Sequence, residues 1–487
     1  MPGRSPSRQA AAAGSVPPGV AGAEGGADPA DAASRPTGPL ALFAVCLGFF
    51  MVLMDSSALN VALPAVREDL AGSLAGLEWL INGYTITLAA FLLSGGAVSD
   101  RWGARRVFEV SLLGFVVTSA ACALSPGLGF LVTARVLQGV TAGGLLPASL
   151  AVIAHMYPDP ARRARALTVW GGVSSLALVF GPVLGGVLTT AVGWRSIFLI
   201  NVPVGLLAWG LTRLQVPRSA TREAALDPAG QTLAVMVVGC GIGALIEGGA
   251  RGWTDIVTGV LLAVTLASAA AFVAVERRAA APVLPLGLLA RPRFACGLAI
   301  GALFQFGAYG AQFALSLRLQ SAWGLDALGA GLSFVPFAAL WAFASFVLAR
   351  AVTRTGPRPL LTGGALAAAA GACALLPLGG HPGWWIFFCG SALLGLGAGL
   401  MGPSLPAVVL SAVPADRSGL ASGALNALRQ VGGAVAIALF GVLLDGSPGP
   451  AGLRICLGLV ALGFLVVVMA VPAALPSRAR AAHATRP

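Results

Sequence analysis

Lysine is missing from this sequence: all thirty of its basic residues are arginine. A P-loop of the form GxxxxGK[ST] is therefore excluded, and with it an ATPase of that type within the chain. Charge of either sign is scarce. Charged residues make up 10% of the chain, against roughly 25% in soluble domains, so a soluble globular fold is excluded. The three histidines, His155, His381 and His483, fall in expected loops or a tail, which argues against the convergent side-chain cluster an intramembrane enzyme or sensor would need. Seven cysteines are scattered through apolar runs without a CxxC pair, so they read as small buried residues rather than as a metal or disulfide framework.

What the chain does have is apolar sequence, 57% hydrophobic, in runs each close to the roughly 20 residues that cross a bilayer as a helix. The fold class is an all-α polytopic membrane protein. Counting runs predicts fourteen spans, near 39–63, 77–99, 107–125, 128–154, 166–191, 195–216, 229–248, 255–275, 294–317, 328–351, 359–378, 384–409, 419–442 and 453–475. Residues 1–38 are a Pro/Gly/Ala/Ser tail, too long and polar for a signal peptide and expected to be disordered, and 476–487 form a second tail.

A net charge of +12 raises the question of nucleic acid, but the arginines lie in separate short loops. With both termini placed in the cytoplasm, twenty-three fall on the inside and five outside, the asymmetry of a plasma-membrane protein oriented by its positive loops. No nucleic-acid partner is expected. The bilayer and a small amphipathic substrate are.

The chain also repeats itself. "GVTAGGLLPASLAVIAHMYP" (139–158) aligns with "GLGAGLMGPSLPAVVLSAVP" (395–414), bringing Gly139, Gly143 and Pro147 onto Gly395, Gly399 and Pro403. "DRWGAR" (100–105) likewise meets "TRTGPR" (353–358). This pattern predicts two six-helix halves, 39–216 and 294–475, with two extra helices in 217–293 between them, and a site where the halves meet.

Six stretches in order then carry a resemblance: "MDSSALNVALP", "GGAVSDRWGARR", "ARVLQGVTAGG", "FGPVLGG", "WRSIFLINVPVG" and "GLASGALNALRQVGG". Over roughly residues 40–475 the chain resembles the major facilitator superfamily, specifically its fourteen-helix drug:proton antiporters. The resemblance implies a bacterial multidrug or antibiotic exporter that works by alternating access, functions as a monomer, and uses no cofactor beyond the proton as coupling ion. A dedicated exporter of an endogenous metabolite, siderophore or lipid is the alternative.

Asp55 interrupts the first apolar run, where an isolated carboxylate costs several kcal/mol. Burial disfavours its charge and a nearby cation restores it, so a carboxyl poised between the two can load and release a proton. As the only acid deep in a core span, Asp55 is the expected coupling residue. One carboxylate also argues against dications as substrates, in favour of neutral, monovalent or weakly anionic amphipaths.

Arg135, about eight residues or roughly 12 Å into its helix, is deep for a snorkelling side chain, and the resemblance assigns it to proton relay. In the loop motif formed by Gly96, Asp100, Arg101, Gly103, Arg105 and Arg106, Gly103 permits a positive φ. The resemblance makes Asp100 a latch facing the helix start near Ser418, with the arginines pairing across the seam; Thr353 replaces the acid in the second copy. Gly181, Pro182, Gly185 and Gly186 form the antiporter motif, preceded by Ala177 where relatives usually have Gly. Gln305, Tyr309 and Gln312 share one helical face and, with Asn426 and Arg429, are candidates to line the substrate cavity.

Overall fold

The computed structural model describes residues 38–475 apart from 220, 222–226, 280–281, 285, 349–355, 379–382, 415–417 and 447–448. Both expected tails, and Thr353, lie outside the described residues. The helices are α1 (Pro39–Asp69), α2 (Leu74–Trp102), α3 (Ala104–Ala123), α4 (Leu128–Met156), α5 (Pro160–Ala191), α6 (Ser196–Leu199), α7 (Asn201–Gln215), α8 (Pro228–Arg251) and α9 (Ile256–Glu276). They continue with α10 (Leu286–Leu289), α11 (Pro292–Ser321), α12 (Ala327–Ser333), α13 (Val335–Phe343), which runs on into a π turn (Ala344–Leu348), α14 (Pro357–Leu375), α15 (Trp384–Leu410), α16 (Ser418–Gly446) and α17 (Pro450–Ala474).

Thirteen of the described helical segments are long and apolar enough to cross a membrane. α5 contributes a shorter apolar stretch, Phe180–Ala191, its first two turns carrying Arg162, Arg163 and Arg165. Four of the few acids, Asp159, Asp227, Asp255 and Asp326, are used as N-caps, each accepting a backbone N–H of the helix it opens. That leaves few acids for the interior.

The helices outrun the apolar runs where proline is present. The sequence places the end of the first span at 63, yet α1 continues through Pro64 to Asp69. Pro64 cannot donate to the carbonyl of Asn60, one turn back. The hydroxyl of Ser316, on α11, donates to that oxygen at 3.1 Å instead, and Gln320 Nε2 donates to the next carbonyl, Val61, at 3.1 Å. α15 repeats the device: Pro403 frees the carbonyl of Gly399, and Ser345 Oγ donates to it at 3.2 Å. A neighbouring helix thus satisfies the backbone group a membrane could not.

α2 packs on α4 and across the molecule on α16; α1 packs on α5 and α7; α5 packs also on α12; α11 packs on α16 and α17, and α14 on α15 and α17. α8 lies against α9, α2 and α16. α9 is the most peripheral, with Thr258, Ser268 and Glu276 as its buried residues.

Glycines set the close contacts. A Cβ at Gly139 would collide with the carbonyl of Tyr84 and one at Gly143 would stand 3.1 Å from that of Leu88; Gly395 and Gly399 meet the carbonyls of Phe337 and Trp341 in the same way. The aligned glycines of the two repeats therefore seat α4 on α2 and α15 on α13 through equivalent contacts. Gly103 and Gly356, aligned in the loop motif, both take positive φ, +87° and +81°.

These contacts make a test of the packing. We expect Gly139→Leu to lower thermal stability in detergent by several degrees or to prevent accumulation, since overpacking costs about 1–3 kcal/mol or more. Gly129→Leu, at a position with no atom within 4 Å of its Cβ, should leave the melting curve unchanged.

Candidate functional site

Asp55 is fully buried near the middle of α1, and Arg135 on α4 is 1% exposed beside it. Arg135 Nη1 donates to Asp55 Oδ2 at 2.5 Å and to Gln138 Oε1 at 2.6 Å. The other carboxylate oxygen, Oδ1, accepts from Asn201 Nδ2 at 2.7 Å and from Gln138 Nε2 at 3.5 Å. Ser119 Oγ, on α3, accepts from Gln138 Nε2 at 2.7 Å and from Asn201 Nδ2 at 3.3 Å, closing the network. Arg135 does not snorkel; its guanidinium lies over the Tyr84 ring, 4.0 Å from the centroid. Four helices thus bring one buried anion, one buried cation and the amides that hold them into a single cluster.

Within the cluster Arg135 Nε, Asn201 Oδ1 and the Tyr84 hydroxyl are buried without a hydrogen-bond partner among the described residues. A buried ion pair recovers its desolvation cost only when its remaining donors and acceptors are met. Here the pair is well bonded at Asp55 and leaves spare groups around it.

The antiporter motif adjoins this cluster. Cβ atoms at Gly181 and Gly185 would run into Ser57 and Ala58, next to Asp55, while Gly186 meets the backbone of Ala327 and Leu328 on α12. On the return side, Gly331 of α12 packs on the Pro182 carbonyl. α5 is therefore held backbone-close to α1 on one face and to α12 on another. Ala177, in place of the expected glycine, is buried, and its carbonyl accepts from Ser57 Oγ at 3.4 Å.

The loop motif differs from expectation. Gly103 has the positive φ foreseen, but Arg105 does not pair across the seam. Its Nη1 and Nη2 donate to the carbonyls of Val216 and Arg213 at 2.5 and 2.8 Å, and its Nε to Glu109 at 2.7 Å. The physical reason is local: the last carbonyls of α7 have no helical N–H and form the negative end of its dipole, which attracts a cation. Gly96, Asp100, Arg101 and Arg106 are exposed. The residues just before Ser418 lie outside those described.

The expected cavity residues are brought together in part. Arg429 Nη2 donates to Gln305 Oε1 at 3.2 Å and Nη1 to Asn426 Oδ1 at 3.5 Å, with its guanidinium 5.1 Å from the Phe304 ring centroid. Tyr309 and Gln305 both face Gly433 of α16. Gln312 is buried two turns along α11, apart from the Arg429 group.

Gln138, Asn201, Ser119 and Tyr84 were not singled out from the sequence. Gln138 and Asn201 do lie inside two of the quoted motifs, as polar residues in apolar helices, and that was the available signal. Glu78, at the edge of its expected span, is a second buried acid: it is 3% exposed, with Oε2 unpartnered among the described residues. With Glu78 buried as well as Asp55, acid content gives no ground for disfavouring dicationic substrates.

The ion pair makes a stability test. Arg135→Met alone strands a buried anion and should cost about 3–5 kcal/mol, whereas Arg135→Met with Asp55→Asn should recover most of that loss. Thermal unfolding of single and double variants in detergent measures it; equal losses in both would show that the two residues do not act as a pair.

Comparison with known proteins agrees with this architecture. The Major Facilitator Superfamily profile matches residues 45–437. The methylenomycin A resistance protein of Streptomyces coelicolor is 33% identical over 404 residues, 82% of this chain and 84% of that protein. The multidrug resistance protein Stp of Mycobacterium tuberculosis is 34% identical over 407 residues, 83% of this chain and 75% of that protein. Among solved structures, a peptide transporter of the POT type in complex with sulfate superposes with a TM-score of 0.67 at 18% identity, covering 91% of this chain and 97% of that one, a likeness of fold. The chain is a multi-pass membrane transporter rather than an enzyme, and it belongs to the major facilitator superfamily.

Proposed function

We propose that this transporter is a proton-coupled antiporter that exports amphipathic drugs or antibiotics across the plasma membrane by alternating access. The observation that carries the reading is the fully buried Asp55 bonded to Arg135, Asn201 and Gln138. The names of two relatives, a methylenomycin A resistance protein and a multidrug resistance protein, support the substrate class. The chain would act as a monomer with the proton as its coupling ion.

The cluster suits both protonation states. When Asp55 is ionised, Arg135 and Asn201 Nδ2 satisfy it. When it takes a proton, Arg135 keeps Gln138 Oε1 as acceptor, and a half-turn of the Asn201 amide presents its free Oδ1 to the new O–H. Proton loading therefore loosens α1 from α4 without orphaning the cation. The glycine contacts of α5 on α1 and on α12 offer a route by which a change at Asp55 alters the fit between the two halves.

In the same reading the chain has fourteen spans, α5 completing the count, as two six-helix halves with α8 and α9 between them and both termini in the cytoplasm. The matched glycines of α4 and α15 support the two-half arrangement. Asp100, with Gly96 and the loop arginines, would gate the cytoplasmic face, and Arg429 with Gln305, Asn426 and Tyr309 would contact substrate.

Proteoliposomes test the central step. Substrate addition should release protons from the wild type, and Asp55→Asn should abolish that release while the protein stays folded in the membrane. Undiminished coupling in the variant would remove Asp55 from the mechanism. A broad compound panel in a pump-deficient host identifies the substrate to use.

A further inference from the structure

Glu78 sits one turn into α2, where that helix packs on α16. Its seat is shaped by a glycine: a Cβ at Gly441 of α16 would collide with Glu78 Oε1. α8 closes the same seam from outside, with Gly249 against Val442 of α16 and Trp79 Nε1 donating to Glu247 at 3.0 Å. The carboxyl is 3% exposed and its Oε2 has no partner among the described residues. One turn further along the same face, Asn82 is fully buried with neither amide atom partnered.

The charged groups that face Glu78 are both acids, Glu247 on α8 and Asp445 on α16. Glu247 is already held by Trp79 and by Arg251, whose Nε donates at 2.6 Å. On the other helices packed against α2, α4 presents Arg135 to Tyr84, on a different face, and Asp55 of α1 is bonded to that arginine. An ionised Glu78 in this seat would put a buried anion beside the exposed Asp445 and the Arg251-paired Glu247, with no donor of its own among the described residues, which disfavours the charged form. The packed seam accommodates the neutral acid.

We propose that Glu78 is a proton-operated latch: closing the α2–α16 seam at this end requires a proton on Glu78, and opening it returns that proton to the same face of the membrane. The latch rests on the alternating-access reading and adds to it a second titrating site, separate from Asp55 and not itself a carrier of transported protons. The closed seam binds one more proton than the open seam. The closed fraction therefore rises as pH falls, by at most about tenfold per pH unit for this one site. Asn82 supplies amide groups for the carboxyl and for water as the seam parts.

The test is a distance measurement by pulsed electron spin resonance between labels at Ala71, just before α2, and Gly446, at the end of α16, in protein whose native cysteines are replaced. In the parent the short distance should dominate near about pH 5 and the long one near about pH 9. Glu78→Gln, a permanently neutral isostere, should keep the short distance at about pH 9, shifting the ratio about tenfold or more from the parent. A ratio that follows the parent's pH response in Glu78→Gln overturns the latch. Gly441→Ala provides a second reading, because crowding the seat should favour the long distance even at low pH; an unchanged distribution there also counts against the latch. A single distance at every pH, with and without a transported compound, overturns alternating access itself and the latch with it.

Discussion

A carboxylate in the apolar interior of a helix bundle is stable only with its charge answered, and Asp55 is answered by three donors on two other helices and a fourth side chain behind them. Arg135 supplies the charge, Asn201 and Gln138 supply directed N–H groups, and Ser119 fixes the two amides. This constraint reaches well beyond the site. It places α1, α3, α4 and α7 at set distances, because a donor moved by an ångström leaves a buried anion short of a partner. In the proposed mechanism a proton on Asp55 would release Arg135, making the contact state-dependent.

Small residues let such a cluster act on the rest of the molecule. Gly181 and Gly185 bring α5 against Ser57 and Ala58 of α1, and Gly186 brings the same helix against α12. Without bulky side chains between them the helix backbones approach closely. The prolines serve a related purpose. Pro64 and Pro403 each release a carbonyl, and Ser316 and Ser345 answer from neighbouring helices, so a break in one helix's hydrogen bonding becomes a tie to the next.

Much of this was legible in the sequence because membrane insertion imposes a strong signal. Span length and arginine placement are dictated by the bilayer, and the repeated Gly-x-x-x-Gly pairs announce close approach. Asp55 and Arg135 stood out because charge in an apolar run is costly. Their partners did not: Gln138, Asn201 and Ser119 are uncharged, tolerated in membrane helices, and far apart in sequence, Asn201 lying 146 residues from Asp55, so only the fold brings them together. Arg105 was misplaced for a similar reason. A loop arginine can answer any exposed carbonyl, and the sequence does not say that the end of α7 lies nearest. Glu78 was overlooked because it falls beside the expected edge of its span, where an acid normally reaches water; the cover provided by α8 and α16 buries it.

In the proposed mechanism Asp55 is the group whose protonation changes when substrate binds, and difference infrared spectroscopy with isotope-labelled aspartate reads that directly. Substrate added to the protein should remove a protonated-carboxyl C=O band that shifts with the label and is missing from Asp55→Asn. A difference spectrum that shows no carboxyl band, or the same band in Asp55→Asn, would contradict the claim that this buried pair couples the proton to transport.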